Sequence, residues 1–195
     1  MKKNLITSVL MTIVTTVLLG LIYPLVVTGL AQVLFRDKAN GQLVSRGGVV
    51  VGSRLLGQPF TGAGYLHPRL SAAGDNGYDA TASGGTNLGP TNQKLIDRVS
   101  AAVAQLQAEN PGVPVPADLV TTSASGLDPE ISPAAADFQV PRIARDRKVS
   151  EDALRHLIAE NTRGRWMGLL GEPGVNVLAV NLALDARIPA TKAGS

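Results

Sequence analysis

The most unusual local composition in the chain lies at residues 83 to 92, where glycines alternate with hydroxyl and amide side chains. This segment is Ser83, Gly84, Gly85, Thr86, Asn87, Leu88, Gly89, Pro90, Thr91 and Asn92, and a helix is predicted directly after it. Backbone N–H groups of such a loop can converge at a helix N-terminus and bind an anion. A tight loop that only positions the helix is the favoured alternative, because no lysine follows at P-loop spacing.

The other groups that could do chemistry are scattered. Asp118, Asp128 and Glu172 are carboxylates suited to proton transfer, but no sequence pattern brings two of them together. The two histidines, His67 and His156, form no metal-binding pattern. Because the chain has no cysteine, disulfides and thiolate chemistry are excluded. P-loop, nucleophile-elbow, zinc-histidine and calcium-loop motifs are also missing, so we expect neither an autonomous enzyme nor a metal site.

A basic run follows the second predicted helix of the domain. It contains Arg142, Arg145, Arg147 and Lys148. Such a run is most often a solvated helix face, and binding to an acidic partner or a phosphate is the less common alternative.

The N-terminal stretch must be a membrane span. No charged residue occurs between Lys3 and Arg36, and about 30 residues at roughly 1.5 Å each exceed the hydrocarbon core of a bilayer. The stretch is too long for a cleavable signal peptide, which favours a retained signal-anchor. We expect Pro24 to kink this helix, and Gly20 and Gly29 to offer places where another helix can approach closely, with loose packing as an equal alternative.

The charge distribution argues against a nucleic-acid partner. Lys2 and Lys3 account for two of the 18 basic residues, which leaves 16 basic against 15 acidic residues after the span. Lysine and arginine counts on the two sides of the span do not decide its orientation. The short, basic N-terminal tail favours an amino end in the cytoplasm and an exported domain.

The remaining residues predict a single mixed domain, so the fold class is α+β with one N-terminal transmembrane helix. We place residues 1–36 in the tail and span, and residues 37–195 in an extramembrane domain with a frayed C-terminal tail. The predicted elements are a strand or hairpin at 47–56, a helix at about 91–109, a helix from Pro133 to about Gln139 that kinks or restarts at Pro141, a helix beginning after the N-cap Ser150, and a central strand at 175–184.

The ordered motifs of the chain resemble the KdpC family of the bacterial high-affinity potassium-transporting P-type ATPase. They are the single span, Gly52-Ser53, Leu56 to Phe60, Tyr65 to Arg69, Ser83 to Asn92, Ser125 to Pro129, Ile131 to Ala136, Gln139 to Ala144, Leu170 to Pro173, Val175 to Leu178 and Asn181 to Asp185. Local departures stand at Leu70, Glu130 and Gly174, where the family commonly has proline, histidine and a basic residue. The resemblance covers nearly the whole chain.

The resemblance implies a non-catalytic subunit of a pump in the cell inner membrane. Its implied partners are a potassium-channel-like subunit, a P-type ATP-hydrolysing subunit and a small single-span subunit, with membrane lipid around its own helix. It is expected to stabilise the complex and, as a catalytic chaperone, to raise the ATP affinity of the hydrolysing subunit. No cofactor of its own is implied, and ATP enters through the partner.

The family's nucleotide link points to Ser83, Gly84, Gly85, Asn87, Gly89, Gln139 and Arg142 as candidate contacts. An exported domain cannot touch cytoplasmic ATP, so coupling through Gly20, Pro24 and Gly29 is the mechanism compatible with export. Two alternatives from other classes stay open. One is a membrane-anchored hydrolase that uses Asp128 or Glu172, and the other is a membrane-tethered solute-binding module that uses the Gly-rich loop.

Overall fold

The computed structural model describes residues 1–188. The chain divides into two compact units, Met1–Val50 and Val51–Ser195. The first unit is dominated by a long apolar helix, and the second is a mixed region of helices and short strands. This architecture is the predicted α+β fold with one N-terminal apolar helix.

The N-terminal helix runs from Lys2 to Leu34 and, among the described residues, is the one helix long and apolar enough to cross a membrane. It consists of α1 (Lys2–Val17), a π-helical turn (Leu18–Ile22) and α2 (Tyr23–Leu34). The hydroxyls of Thr7, Ser8, Thr12 and Thr15 donate to backbone carbonyls one turn earlier, which satisfies these polar groups without water.

Proline accounts for the π turn. A proline ring clashes with the carbonyl of the residue four positions earlier, which for Pro24 is Gly20, in the middle of the π turn. The amide of Tyr23 donates instead to the carbonyl of Leu18, five residues back. The helix continues through the proline in this way, with an irregular turn where we expected a kink.

A short helix and a β-hairpin follow the apolar helix. Helix α3 (Arg36–Ala39) precedes strands β1 (Leu43–Arg46) and β2 (Val49–Ser53), which form a two-stranded sheet. Gly47 and Gly48 have φ angles of 59° and 81°, the left-handed conformation that a two-residue hairpin turn requires. Of the strand or hairpin predicted from the valine run, the structure has the hairpin, which begins before Gly47, at Leu43.

The domain's helices are α4 (Gln93–Glu109), α5 (Ala117–Val120), α6 (Pro133–Arg147), α7 (Glu151–Glu160) and α8 (Val177–Arg187). The predicted caps are confirmed, since the Ser132 and Ser150 side chains accept hydrogen bonds from Ala135 and Ala153 at the starts of α6 and α7. Of the kink or restart expected at Pro141, the restart is wrong, because α6 continues to Arg147. Val140, Ile143 and Ala144 around the proline are buried, and their packing offsets the missing backbone hydrogen bond.

The strands of the domain are short. Strands β3 (Glu130–Ile131), β4 (Thr162–Arg163) and β5 (Gly174–Asn176) form an antiparallel sheet in the order β3-β5-β4, with Ile131 and Thr162 both opposite Val175. The sheet packs with α6, α7 and α8 around one core. Its members include Phe138, Val140, Ile143, Leu154, Leu157, Val175, Val180 and Leu184.

The predicted strand at 175–184 is wrong beyond Asn176. Only Gly174–Asn176 is strand, and it is indeed the central one; Val177–Arg187 is helix α8. The Asn176 side chain caps the helix by accepting from the Ala179 amide at 2.9 Å. Val177, Val180 and Leu184 also satisfy the helical spacing, so an apolar run of this length fits both periods. The helix extends past Asp185, and residues 189–195 of the expected frayed tail lie outside the described residues.

Candidate functional site

The Gly-rich segment packs against the loop at residues 123–126. The Gly84 amide and the Ser83 hydroxyl both donate to the Ser125 carbonyl, at 2.8 and 3.0 Å. Asn92 caps the following helix α4 by accepting from the Lys94 amide at 3.0 Å. The Gly84 and Ser83 donors therefore hold the loop to its neighbour, and the Asn92 acceptor caps the helix. Anion binding by this loop stays the alternative prediction.

Gly126 is the residue that permits this loop pairing. Its φ is +68°, and a Cβ at this position would lie 2.7 Å from both the Ala73 nitrogen and the Gly84 carbonyl oxygen. Both neighbours are backbone atoms and cannot move aside cheaply. Only glycine fits where the two loops approach each other.

We expect Gly126→Ala to lower the free energy of unfolding by about 3 kcal/mol, from the left-handed φ together with crowding. Gly112→Ala is the matched control, because Gly112 has φ +80° but open space around its Cβ position. The control should lose only about 1 kcal/mol. Chemical denaturation of the full chain in detergent, followed by circular dichroism, measures both. Equal losses would show that loop contact at Gly126 contributes nothing.

A second polar site, which we call the clamp, holds the segment Ala63–His67 by side chains from α6 and α8. The Asn181 amide accepts from the Leu66 N–H at 2.8 Å and donates to the Leu66 carbonyl at 2.9 Å. Gln139 does the same for His67, at 2.8 and 3.1 Å. Both amide side chains are buried. They supply the pairing that a neighbouring strand would otherwise give to an extended backbone.

Two arginines of α6 complete the clamp. Arg142 donates to the carbonyls of Ala63 and Tyr65, to Gln139 Oε1 at 2.7 Å, and to Glu109 Oε1 at 2.7 Å. Arg147 donates to the Gly64 carbonyl at 2.6 Å and to Asp185 at 2.9 Å. The guanidinium of Arg147 also lies over the Tyr65 ring, 4.8 Å from its centre. Each arginine therefore bridges the segment to a carboxylate.

The basic run is thus not a uniformly solvated face. Arg147 is buried, and Arg142 is partly buried against Glu109. The fork of five N–H donors lets Arg142 serve four acceptors at once, one more than the three donors of a lysine allow. The prediction of a solvated helix face is therefore wrong for Arg142 and Arg147.

Burial changes the proton affinities of two side chains, His67 in the clamp and Tyr78 outside it. Burial, together with the positive charge of Arg142, lowers the pKa of His67 below its ordinary value, although its hydrogen bond with the Gly62 carbonyl acts in the opposite direction. Burial raises the pKa of Tyr78 to about 12, and its hydroxyl donates to the Arg69 carbonyl. Both side chains are therefore neutral near pH 7 and act here as hydrogen-bonding groups.

Of the predicted nucleotide contacts, the structure brings Gln139 and Arg142 together in the clamp and places Ser83 and Gly84 in the loop pair. Gly85 lies close to the backbone of Ala124 and Ser123, Asn87 has a left-handed φ of 52°, and Gly89 has open space around it. The cavity beside Gln139 has a volume of about 130 Å³, whereas pockets for drug-sized ligands are typically 300–1,000 Å³. Nucleotide contact at these residues stays a prediction.

The candidate catalytic carboxylates line a cleft of about 430 Å³. Asp118, Asp128, Glu130 and Glu172 share it with Arg69 and Arg163. Asp128 pairs with Arg69 at 3.2 Å and Glu130 with Arg163 at 2.7 Å, while Glu172 pairs with Arg165 at 3.0 Å. Asp118 accepts from the amide and hydroxyl of Ser132. Each carboxylate therefore already has a structural partner.

Within residues 1–188, no cluster of acidic or histidine side chains is arranged to hold a metal.

Sequence reasoning missed Asn181 and Arg147 as members of the clamp. The sequence did indicate that Asn181 is a buried polar residue. It lies within an apolar run, and a helical period places it on the same face as Val177 and Leu184. No sequence feature indicated the burial of Arg147, because its partners Gly64 and Asp185 are distant in sequence.

Within residues 1–188, the structure thus defines a class: a protein with one helix that could span a membrane, followed by an α+β region tied together by a buried polar clamp. Comparison with known proteins assigns the family. The family model described as "KdpC: K+-transporting ATPase, c chain" matches residues 5–186. The chain belongs to the KdpC family, and it is an accessory subunit of potassium uptake by a K+-transporting ATPase.

Relatives of high identity have the same description and nearly the same length. The potassium-transporting ATPase KdpC subunit of Koribacter versatilis is 66% identical over 189 residues, which cover 97% of both chains. That of Acidobacterium capsulatum is 60% identical over 183 residues, 94% of this chain and 98% of the relative. That of Methylobacterium nodulans is 56% identical over 196 residues, 95% and 98% of the two chains. The resemblance inferred from the motif order is confirmed.

Proposed function

We propose that this chain is the non-catalytic subunit that stabilises the potassium pump and, as a catalytic chaperone, raises the ATP affinity of its hydrolysing subunit. Its partners would be the potassium-channel-like subunit, the P-type ATP-hydrolysing subunit and the small single-span subunit. The span would lie in the cell inner membrane with the domain on the extracytoplasmic side. ATP would be bound by the hydrolysing subunit, and this chain would supply no cofactor.

The observation that carries this proposal is the free space at the glycines of the apolar helix. A Cβ added at Gly29 would meet nothing within 4 Å, and one at Gly20 would meet only the Thr16 methyl group at 3.9 Å. Glycine lowers the stability of a helix, and nothing in the chain's own packing requires it at these positions. Small residues on a membrane helix allow another helix to approach closely. Gly29 therefore supports a contact with a partner helix.

Coupling through the span fits the hydrogen bonding of the domain. The donors of Ser83, Gly84, Gln139 and Arg142 are engaged in internal hydrogen bonds. A domain held together in this way is suited to act as a rigid body, and its effect on ATP would pass through subunit contacts. The π turn next to Pro24 gives the span a fixed irregular shape that a partner can match.

We expect Gly29→Leu to raise the KM for ATP of the assembled pump by several-fold while the variant chain still inserts. The added side chain would separate the helices without strain inside this chain. The measurement is the ATP dependence of potassium-stimulated hydrolysis by the purified complex. Val27→Leu is the control, because Val27 is an exposed residue of the same helix, two positions before Gly29 and therefore on its opposite face. An unchanged KM in a fully assembled Gly29→Leu complex would contradict coupling through this face.

A further inference from the structure

Four large apolar side chains are exposed together between β4 and β5. Trp166, Met167, Leu169 and Leu170 are 64, 76, 81 and 61% exposed, and we call residues 166–170 the apolar tip. Trp166 is the only tryptophan of the chain. Scattered exposed leucines are ordinary, but a contiguous apolar patch on a soluble region marks an interaction surface.

The apolar tip has a defined shape of its own. The Trp166 amide donates to the Leu170 carbonyl at 2.8 Å, and the Leu170 amide donates back to Trp166 at 3.0 Å. Met167 and Gly168, with φ angles of 50° and 75°, make the turn between them. The Gly168 amide donates to the Arg165 carbonyl. A preformed tip loses little conformational entropy on binding, which favours its use as an anchor.

The charges around the apolar tip distinguish a protein surface from a lipid surface. Arg165 pairs with Glu172 at the base of the tip, and Arg163 on the preceding strand pairs with Glu130. Two arginines and two glutamates make this rim neutral. Segments that bind anionic lipid have an excess of basic residues. An apolar centre with tryptophan and methionine inside a polar rim is instead typical of a protein–protein interface.

We propose that the apolar tip inserts into an apolar pocket on another subunit of the same K+-transporting ATPase. The family assignment makes this chain one subunit of that assembly. The inference requires only that this chain is a subunit of the K+-transporting ATPase, and it does not depend on any effect of this chain on ATP affinity. Trp166 and Leu169 are the anchors, and the two ion pairs form the rim that excludes water around them.

Cysteine labelling of the full chain tests the docking directly, because the chain has no cysteine of its own. Leu169→Cys is treated with a maleimide that retards this chain on a gel, and its labelling rate is compared in the chain alone in lipid nanodiscs and in the assembled pump. Val113→Cys is the matched control, as Val113 is exposed and lies in another loop. We expect assembly to slow labelling of Leu169→Cys several-fold and to leave Val113→Cys unchanged.

Two results would overturn the proposal. Equal labelling rates of Leu169→Cys in both samples would show that the apolar tip stays exposed to solvent in the assembled pump. Protection already present in nanodiscs without the other subunits would assign the tip to lipid or to a second copy of this chain. Since the readout is labelling, it is unaffected if the proposed change in ATP affinity is absent.

A second variant measures the contribution to binding. Leu169→Ser should be retained about tenfold less well than the wild type when the complex is purified through a tag on another subunit. Val113→Ser should be retained normally. Because Leu169 is exposed, the serine variant should keep the melting temperature of the wild type. Normal retention of a folded Leu169→Ser chain would contradict the proposal.

Discussion

Arg147→Met is expected to lower the free energy of unfolding by about 4 kcal/mol, because it removes a buried cation that serves two elements at once. The Arg147 side chain is completely inaccessible, and its donors reach the carbonyls of Gly64 and Ile188 as well as Asp185. Methionine fills similar space but donates to none of them. Two backbone carbonyls would lose their partner, and the Asp185 carboxylate would lose its counter-charge.

Thermal unfolding of the full chain in detergent measures this loss, which corresponds to a fall in melting temperature of roughly 10 °C. Arg165→Met is the matched control, because Arg165 makes an exposed ion pair and its removal should leave the melting temperature nearly unchanged. Arg147→Lys should lie between them, since a lysine keeps the charge without the planar fork. A methionine variant that melts with the control would show that the clamp does not depend on Arg147.

The second large effect is expected at Asn181, whose amide pairs both backbone groups of Leu66. Asn181→Leu keeps the approximate size of the side chain and leaves a buried N–H and a buried carbonyl without partners. Each orphaned group costs about 1–3 kcal/mol, so we expect a loss of about 3 kcal/mol. Hydrogen exchange of the full chain should also accelerate locally in the peptide that contains Leu66.

The control for this variant is Asn161→Leu. Asn161 makes one side-chain bond, to the Leu157 carbonyl at the end of α7, and is only partly buried. Its replacement should cost less than about 1 kcal/mol and leave exchange at Leu66 unchanged. If Asn181→Leu lowered stability without faster exchange at Leu66, the loss would come from repacking of α8 and not from the clamp.

The elements that sequence predicted well are those defined by local chemistry. A serine cap followed by proline or acidic residues identified the starts of α6 and α7, and the spacing of apolar residues identified α4. The sequence of helix α8 predicts a strand because its valines and leucines satisfy both periods over ten residues. The capping role of Asn176 would have decided between them, since asparagine before an apolar run is a helix-start signal.

The clamp could not be predicted in the same way. Gln139 and Asn181 lie 72 and 115 residues from the backbone groups that they pair, so no local spacing connects them. The family resemblance did single out Gln139 and Arg142, but as nucleotide contacts. The structure shows what these side chains hold within the domain, and their partners are backbone groups whose positions depend on the whole fold.

The π turn beside Pro24 alters the side-chain directions of the span. A π turn accommodates one extra residue, and each residue of an α-helix corresponds to a rotation of about 100°. Side chains of Lys2–Val17 and of Tyr23–Leu34 are therefore out of phase by about that angle compared with an uninterrupted α-helix. Residues that share one face on an ideal α-helical wheel therefore lie on two faces in this helix. One face belongs to the part before Leu18–Ile22 and the other to the part after it, and the two point in different directions. One straight neighbouring helix cannot follow both faces, so the two halves of this span are suited to two different neighbours.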